Sequence, residues 1–176
     1  MMAVVKKRPS VVVDHAADMA NIQQVRALLD GAGLGDAPVD VSGAASLLGL
    51  QIVYEQMADE MSGYLENRNG QWVVGVNAYH AGVRQRFTIA HEIAHYVLHR
   101  KQQGTFRDVI FMRRSSNANS MEREADTFAA QLLMPEDQLI RDIRSGMVNV
   151  MMLAARYNVS ALAMKYRLQN LGYAVS

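Results

Sequence analysis

His91-Glu92-Ile93-Ala94-His95 is the stretch of this 176-residue chain whose residue types and spacing speak most directly of chemistry. In an α-helix, residues four apart lie about 40° apart around the axis, so His91 and His95 point the same way. Together they can offer two imidazole nitrogens to one cation. Glu92 lies about 100° round from His91 but on the side of His95, beside such an ion rather than on it. A carboxylate placed there can take a proton from a water that the metal activates, without occupying a coordination position. With the His and Glu content of this chain, chance produces the pattern in roughly one such sequence in two hundred. The competing reading is an ordinary amphipathic helix with satisfied histidines. It is weakened by Phe87, Ala90, Ile93, Ala94, Val97 and Leu98, which make the helix apolar and bury groups that need partners.

A catalytic zinc ion needs a third protein ligand and one open position for water. One class of zinc peptidases takes a third His six residues after the second, with a Gly between them; here those positions are Lys101 and Leu98, which excludes that class. His99 projects near the same face but lies about 6 Å further along the helix than His95, too far to share the ion. It is read as a cap on the helix end or as a support for the ligands. The segment MEREADTFAAQLLMP supplies a better third ligand. Wrapped on a helix, Ala125, Phe128, Ala129, Leu132 and Leu133 form one apolar arc, with Glu122 at its edge and Asp126 one turn above. Glu124 points nearly opposite, with Gln131. Glu122 as third ligand and Asp126 buttressing a ligand histidine form a coherent set, and the small Ala125 and Ala129 let the two helices approach. Alone, the acidic run would be a solvated first turn favoured by the helix dipole.

RFTIAHEIAHYVLH followed by EREADTFAAQLLMP resembles the ImmA/IrrE family of metallo-endopeptidases, small members of the gluzincin branch of zinc peptidases. The resemblance covers roughly 39–173. It implies a zincin-like domain, zinc as cofactor, and a third ligand four residues before an Asp or Asn, which maps onto Glu122 and Asp126. It also implies a protein substrate: similar family members cleave helix-turn-helix repressors encoded beside them, and some pair with such a partner as a toxin–antitoxin-like unit. In zincins the strand before the active helix often pairs with an extended substrate. That expectation places the substrate along Trp72–Val76, with Asn77 and Tyr79 bordering the cleft. Tyr79, Tyr64 and His80 remain open candidates for the oxyanion donor.

The elements that position these residues are legible in the pattern. Apolar residues at helical spacing predict a helix from about Asp18 to Leu29, and Pro38 and Ser42 precede a short helix over 43–48. Strands are expected at 50–57, 61–67 and 71–76, the last two joined by Asn69-Gly70, a strong hairpin signal. They read as an antiparallel sheet of about three strands. The active helix follows over 82–99, a further strand is possible at 108–112, and Ser120 is placed as the cap of a helix ending at Leu133. Shorter helices at 136–143, 148–157 and 160–171 complete the chain. The fold class is α+β: an N-terminal tail, 1–17, and one domain over 18–176.

A formal net charge of +1 gives no electrostatic case for nucleic acid or an anionic membrane. The chain contains no cysteine, which excludes disulfides and thiolate chemistry and suits a reducing compartment. No apolar run is long enough for a signal peptide or a membrane span, so the expected location is the cytoplasm. Two rival readings stand beside the peptidase. One is a DNA-binding module using 153–173, with Lys165 and Arg167 on its second helix. The other is a regulatory protein with a latent site that acts by binding a partner; the intact Glu92 argues against it.

Overall fold

The computed structural model describes residues 21–109 and 118–175; the expected tail and the far end of the expected strand at 108–112 lie outside them. Along the chain come α1 (Ile22–Gly31), α2 (Val41–Leu47), β1 (Gln51–Glu55), β2 (Met61–Arg68), β3 (Gln71–Asn77) and α3 (Gly82–His99). After these come β4 (Thr105–Val109), α4 (Ala118–Leu133), α5 (Glu136–Arg144), α6 (Val150–Tyr157) and α7 (Ala161–Asn170). The fold is α+β, with one open sheet and helices packed on it.

The hairpin forms where Asn69-Gly70 predicts it. Both residues have positive φ, 52° and 92°, and they join the paired Arg68 and Gln71, the two-residue turn that matches strand twist. The sheet order is β1-β3-β2-β4. The expected three-stranded antiparallel sheet is therefore corrected to a mixed four-stranded one, because β1 pairs parallel with β3 and not with its sequence neighbour β2. Alternation along a strand shows which face is buried but not which strand lies alongside. β4 starts at Thr105, earlier than expected, and pairs antiparallel with β2. Two helix starts also differ. α2 begins at Val41, so Ser42 lies inside it, with Asp40 as its cap accepting from the Gly43 amide at 2.9 Å, and α4 begins at Ala118, which puts Ser120 inside the helix rather than at its cap.

Leu65, Val74 and Val76 of the sheet join Ile89, Ala90 and Ile93 of α3 and Ala125, Phe128, Ala129, Leu132 and Leu133 of α4 in one buried cluster. α3 is thus held between the sheet on one side and α4 on the other, which buries most of its second half. Gly63 permits this approach. A Cβ there would overlap Thr88 of α3 and the Gly75 carbonyl. Among the described residues, no helix is long and apolar enough to cross a membrane.

Candidate metal and catalytic site

The burial of α3 carries its histidines inside: His91 is fully buried and His95 nearly so. One helical turn apart, their Nε2 atoms lie 3.0 Å from each other. α4 brings Glu122 to the same place, with Oε2 3.1 Å from His91 Nε2 and Oε1 3.2 Å from His95 Nε2. The close approach of α4 depends on Ala125 and Ala129, both fully buried.

The imidazoles are oriented from behind. His91 Nδ1 lies 2.9 Å from Asp126 Oδ1; a carboxylate only accepts, so Nδ1 carries a hydrogen and Nε2 is the ring nitrogen turned inward. His95 Nδ1 lies 3.0 Å from His99 Nδ1, and Phe106 of β4 stacks on the His95 ring at 4.6 Å. Two imidazole nitrogens and a carboxylate thus crowd one spot. Glu122 Oε2 is buried and makes no hydrogen bond despite its distance from His91. Ligand atoms of His91, His95 and Glu122 all lie within 4.8 Å of one another. Two imidazole nitrogens and a carboxylate are a donor set that suits a catalytic zinc ion, with a fourth position left for water.

Among the protein groups alone, burial works against a charge on His91, but the neighbouring carboxylates of Asp126 and Glu122 reverse it and lift its pKa to about 10. At His95 burial dominates and lowers the pKa. The two histidines hold Glu122 well below the usual carboxylate range, although burial pushes the other way. One proton therefore resides among His91, Asp126 and Glu122, and an arriving cation would displace it. Glu92 is fully buried, neither of its carboxylate oxygens has a hydrogen-bond partner, and burial pushes its pKa well above the ordinary value. A buried carboxyl group with raised pKa is suited to exchanging protons near neutral pH.

Asp108 of β4 was not singled out by the sequence. It is buried, and its carboxylate belongs to a second group with His91 and Glu92 whose ligand atoms lie within 4.8 Å of one another. A single Asp in a strand carries no local signal; only the packing of β4 over α3 reveals it. His99 is buried behind His95, and its Nε2 lies 3.1 Å from Glu124 Oε2. Glu124, assigned to the solvent side by its helix position, is thus in contact with the histidine row.

The expected cleft residues fare differently. Asn77 is fully buried and its amide nitrogen donates to the carbonyls of Ala58 and Met61 at 3.1 and 2.8 Å. It clasps the β1–β2 connection and does not border an open cleft. Tyr79 is exposed, and its backbone N–H donates to Asn77 Oδ1 at 3.0 Å. The Tyr64 hydroxyl is committed to Glu55 and Arg68, each at 2.8 Å. His80 Nε2 lies 3.1 Å from the Asp59 carbonyl. The substrate strand must be corrected too: β3 is hydrogen-bonded to β1 on one edge and β2 on the other, so it has no edge to offer a peptide. On the second helix of the DNA-binding reading, Arg167 is buried and donates to the Met134 carbonyl at 3.1 Å, out of reach of any base.

Comparison with known families matches residues 45–169 to the model of a peptidase family described as the IrrE N-terminal-like domain. No curated protein matches the chain.

Proposed function

The chain belongs to this peptidase family, whose members are metallopeptidases, and from that premise we propose that it is a zinc-dependent endopeptidase with His91, His95 and Glu122 as metal ligands. The observation that carries the reading is the convergence of two inward-facing imidazole nitrogens and a carboxylate around one point, beside a buried carboxyl group with no partner of its own. Bound there, zinc supplies Lewis acidity, which lowers the pKa of a water and polarises a carbonyl. Asp126 keeps the His91 lone pair aimed inward. Glu92 takes a proton at a carboxylate oxygen and returns it to the amide nitrogen of the departing product, a shuttle for which its raised pKa suits it.

Among the described residues the strand nearest the site is β4, whose Phe106 and Asp108 lie against the histidines and which pairs only with β2. We place an extended substrate segment along its other edge, as a peptide adding to a sheet. The substrate class, a helix-turn-helix repressor, rests on the resemblance to the ImmA/IrrE family. A cysteine-free chain suits a reducing compartment, and the proposed location is the cytoplasm. The test is incubation with the regulator encoded next to this protein and, separately, with unfolded casein. One or two discrete products from the regulator, abolished by a chelator and by Glu92→Gln, are expected. Rapid digestion of casein without preference for the regulator contradicts the specificity.

A further inference from the structure

The two ligand histidines are supported by routes of different length. His91 Nδ1 meets the Asp126 carboxylate directly at 2.9 Å. His95 Nδ1 meets a second imidazole, His99 Nδ1, at 3.0 Å, and His99 Nε2 continues to Glu124 Oε2 at 3.1 Å. Ser120 Oγ donates to the other oxygen, Oε1, at 3.2 Å and steadies the carboxylate. His99 is 1% exposed, whereas the Glu124 side chain is 56% exposed, so the route runs from the buried site to solvent.

Hydrogen-bond directions along this route are fixed from both ends. At the inner end, His95 turns Nε2 toward His91 and Glu122; with that nitrogen ligating the metal, Nδ1 must carry the hydrogen and donate to His99 Nδ1. At the outer end, an ionised carboxylate can only accept, so His99 Nε2 must carry the hydrogen and donate to Glu124. The two requirements agree on one tautomer of His99. Among the described residues, Glu124 is the hydrogen-bond partner at the outer end that holds that tautomer. The alternative presents Nδ1–H to the His95 Nδ1–H, two donors face to face, and pushes His95 off its inward orientation.

We propose that Glu124 is a positioning residue for the metal centre, acting through His99 on His95. The inference rests on the metal reading given above. Removal of partners behind a ligand histidine typically lowers metal affinity about 10–100-fold. Glu124 therefore sets metal retention from the protein surface, although it touches neither the metal nor the base.

The experiment measures zinc affinity by competition with a fluorescent chelator for the wild type, Glu124→Leu, Glu124→Gln and the same changes in a His99→Gln background. Glu124→Leu is expected to lower affinity about 10-fold or more. Glu124→Gln, whose amide oxygen still accepts from His99 Nε2–H, is expected to recover most of the loss. In the His99→Gln background, Glu124→Leu should change nothing further. Because His99 is buried and its replacement can disturb folding, ¹⁵N NMR of the imidazoles supplies a second readout without it. It should show the Nε2–H tautomer of His99 in the wild type and a mixture in Glu124→Leu. A loss below about 2-fold in Glu124→Leu, or an equal loss with and without His99, overturns the proposal. His95→Ala separates the two levels. If it loses zinc while Glu124→Leu does not, only the positioning role fails; if it binds as tightly as the wild type, the metal reading fails and takes this inference with it.

Discussion

Glu92→Gln should make the chelator-treated protein more stable than wild type, by an amount that grows with pH. Glu92 is fully buried and neither carboxylate oxygen has a partner, so burial holds its pKa well above the usual value. The sign follows from proton linkage. A carboxyl group with a raised folded pKa contributes stability that is complete below its unfolded pKa and lost as pH rises toward the folded value. Within that window each pH unit costs the wild type about 1.4 kcal/mol, and a Gln does not titrate. Over the part of pH 5.5 to 7.0 that lies below the folded pKa, the difference between the two proteins should therefore widen by about 1.4 kcal/mol per unit. For a domain of this size that corresponds to about 3–6 °C in Tm per unit. The assay is thermal or urea unfolding of both proteins in excess chelator across that range. A difference that stays constant with pH would show that Glu92 keeps an ordinary carboxylate pKa in the folded protein, and would contradict the upward shift attributed to its burial. With zinc restored, the variant should keep the metal and lose peptidase activity, the exchange of function for stability that strained sites show.

Tyr157 is fully buried and its hydroxyl donates to Asp142 at 2.7 Å, beside Arg156 Nε at 2.6 Å. Tyr157→Phe should lower stability by about 1.5–3 kcal/mol, the range for hydrogen bonds to charged groups, and leave zinc affinity unchanged. A loss under about 0.5 kcal/mol in urea unfolding would mean that water replaces the bond. Ala125→Leu inserts three carbons into the fully buried face of α4. It should cost about 1–3 kcal/mol by overpacking and also weaken zinc binding, because Glu122 and Asp126 ride on the same helix. Unchanged zinc affinity in a folded Ala125→Leu would show that helix spacing does not set the site.

What could be read from the sequence, and what could not, follows the range of the interactions. α3 runs over 82–99 as its pattern predicts, and the Asn69-Gly70 turn forms because both residues tolerate positive φ. Placement of His91, His95, Glu122 and Asp126 on facing sides follows from helix geometry, since a helix fixes side-chain direction locally. The parallel pairing of β1 with β3 depends on which strand fills the slot beside β2, and no local pattern encodes that choice. For the same reason β3 looked like a substrate-binding edge when it is an interior strand. Asp108 and Glu124 became visible only in three dimensions. The first depends on β4 lying over α3, and the second on the reach of a long side chain to the C-terminal end of α3, which a helical-wheel argument does not measure.

The central claim is that His91, His95 and Glu122 hold one zinc ion. Diffraction data from crystals of the zinc-loaded protein, collected on either side of the zinc absorption edge, test it most directly. One anomalous peak per chain is predicted, about 2.0–2.2 Å from His91 Nε2, His95 Nε2 and a Glu122 carboxylate oxygen, with the Glu92 carboxyl group close by but not coordinating. No peak at this position, or one held by Glu124 or Asp108 in place of Glu122, would contradict the account.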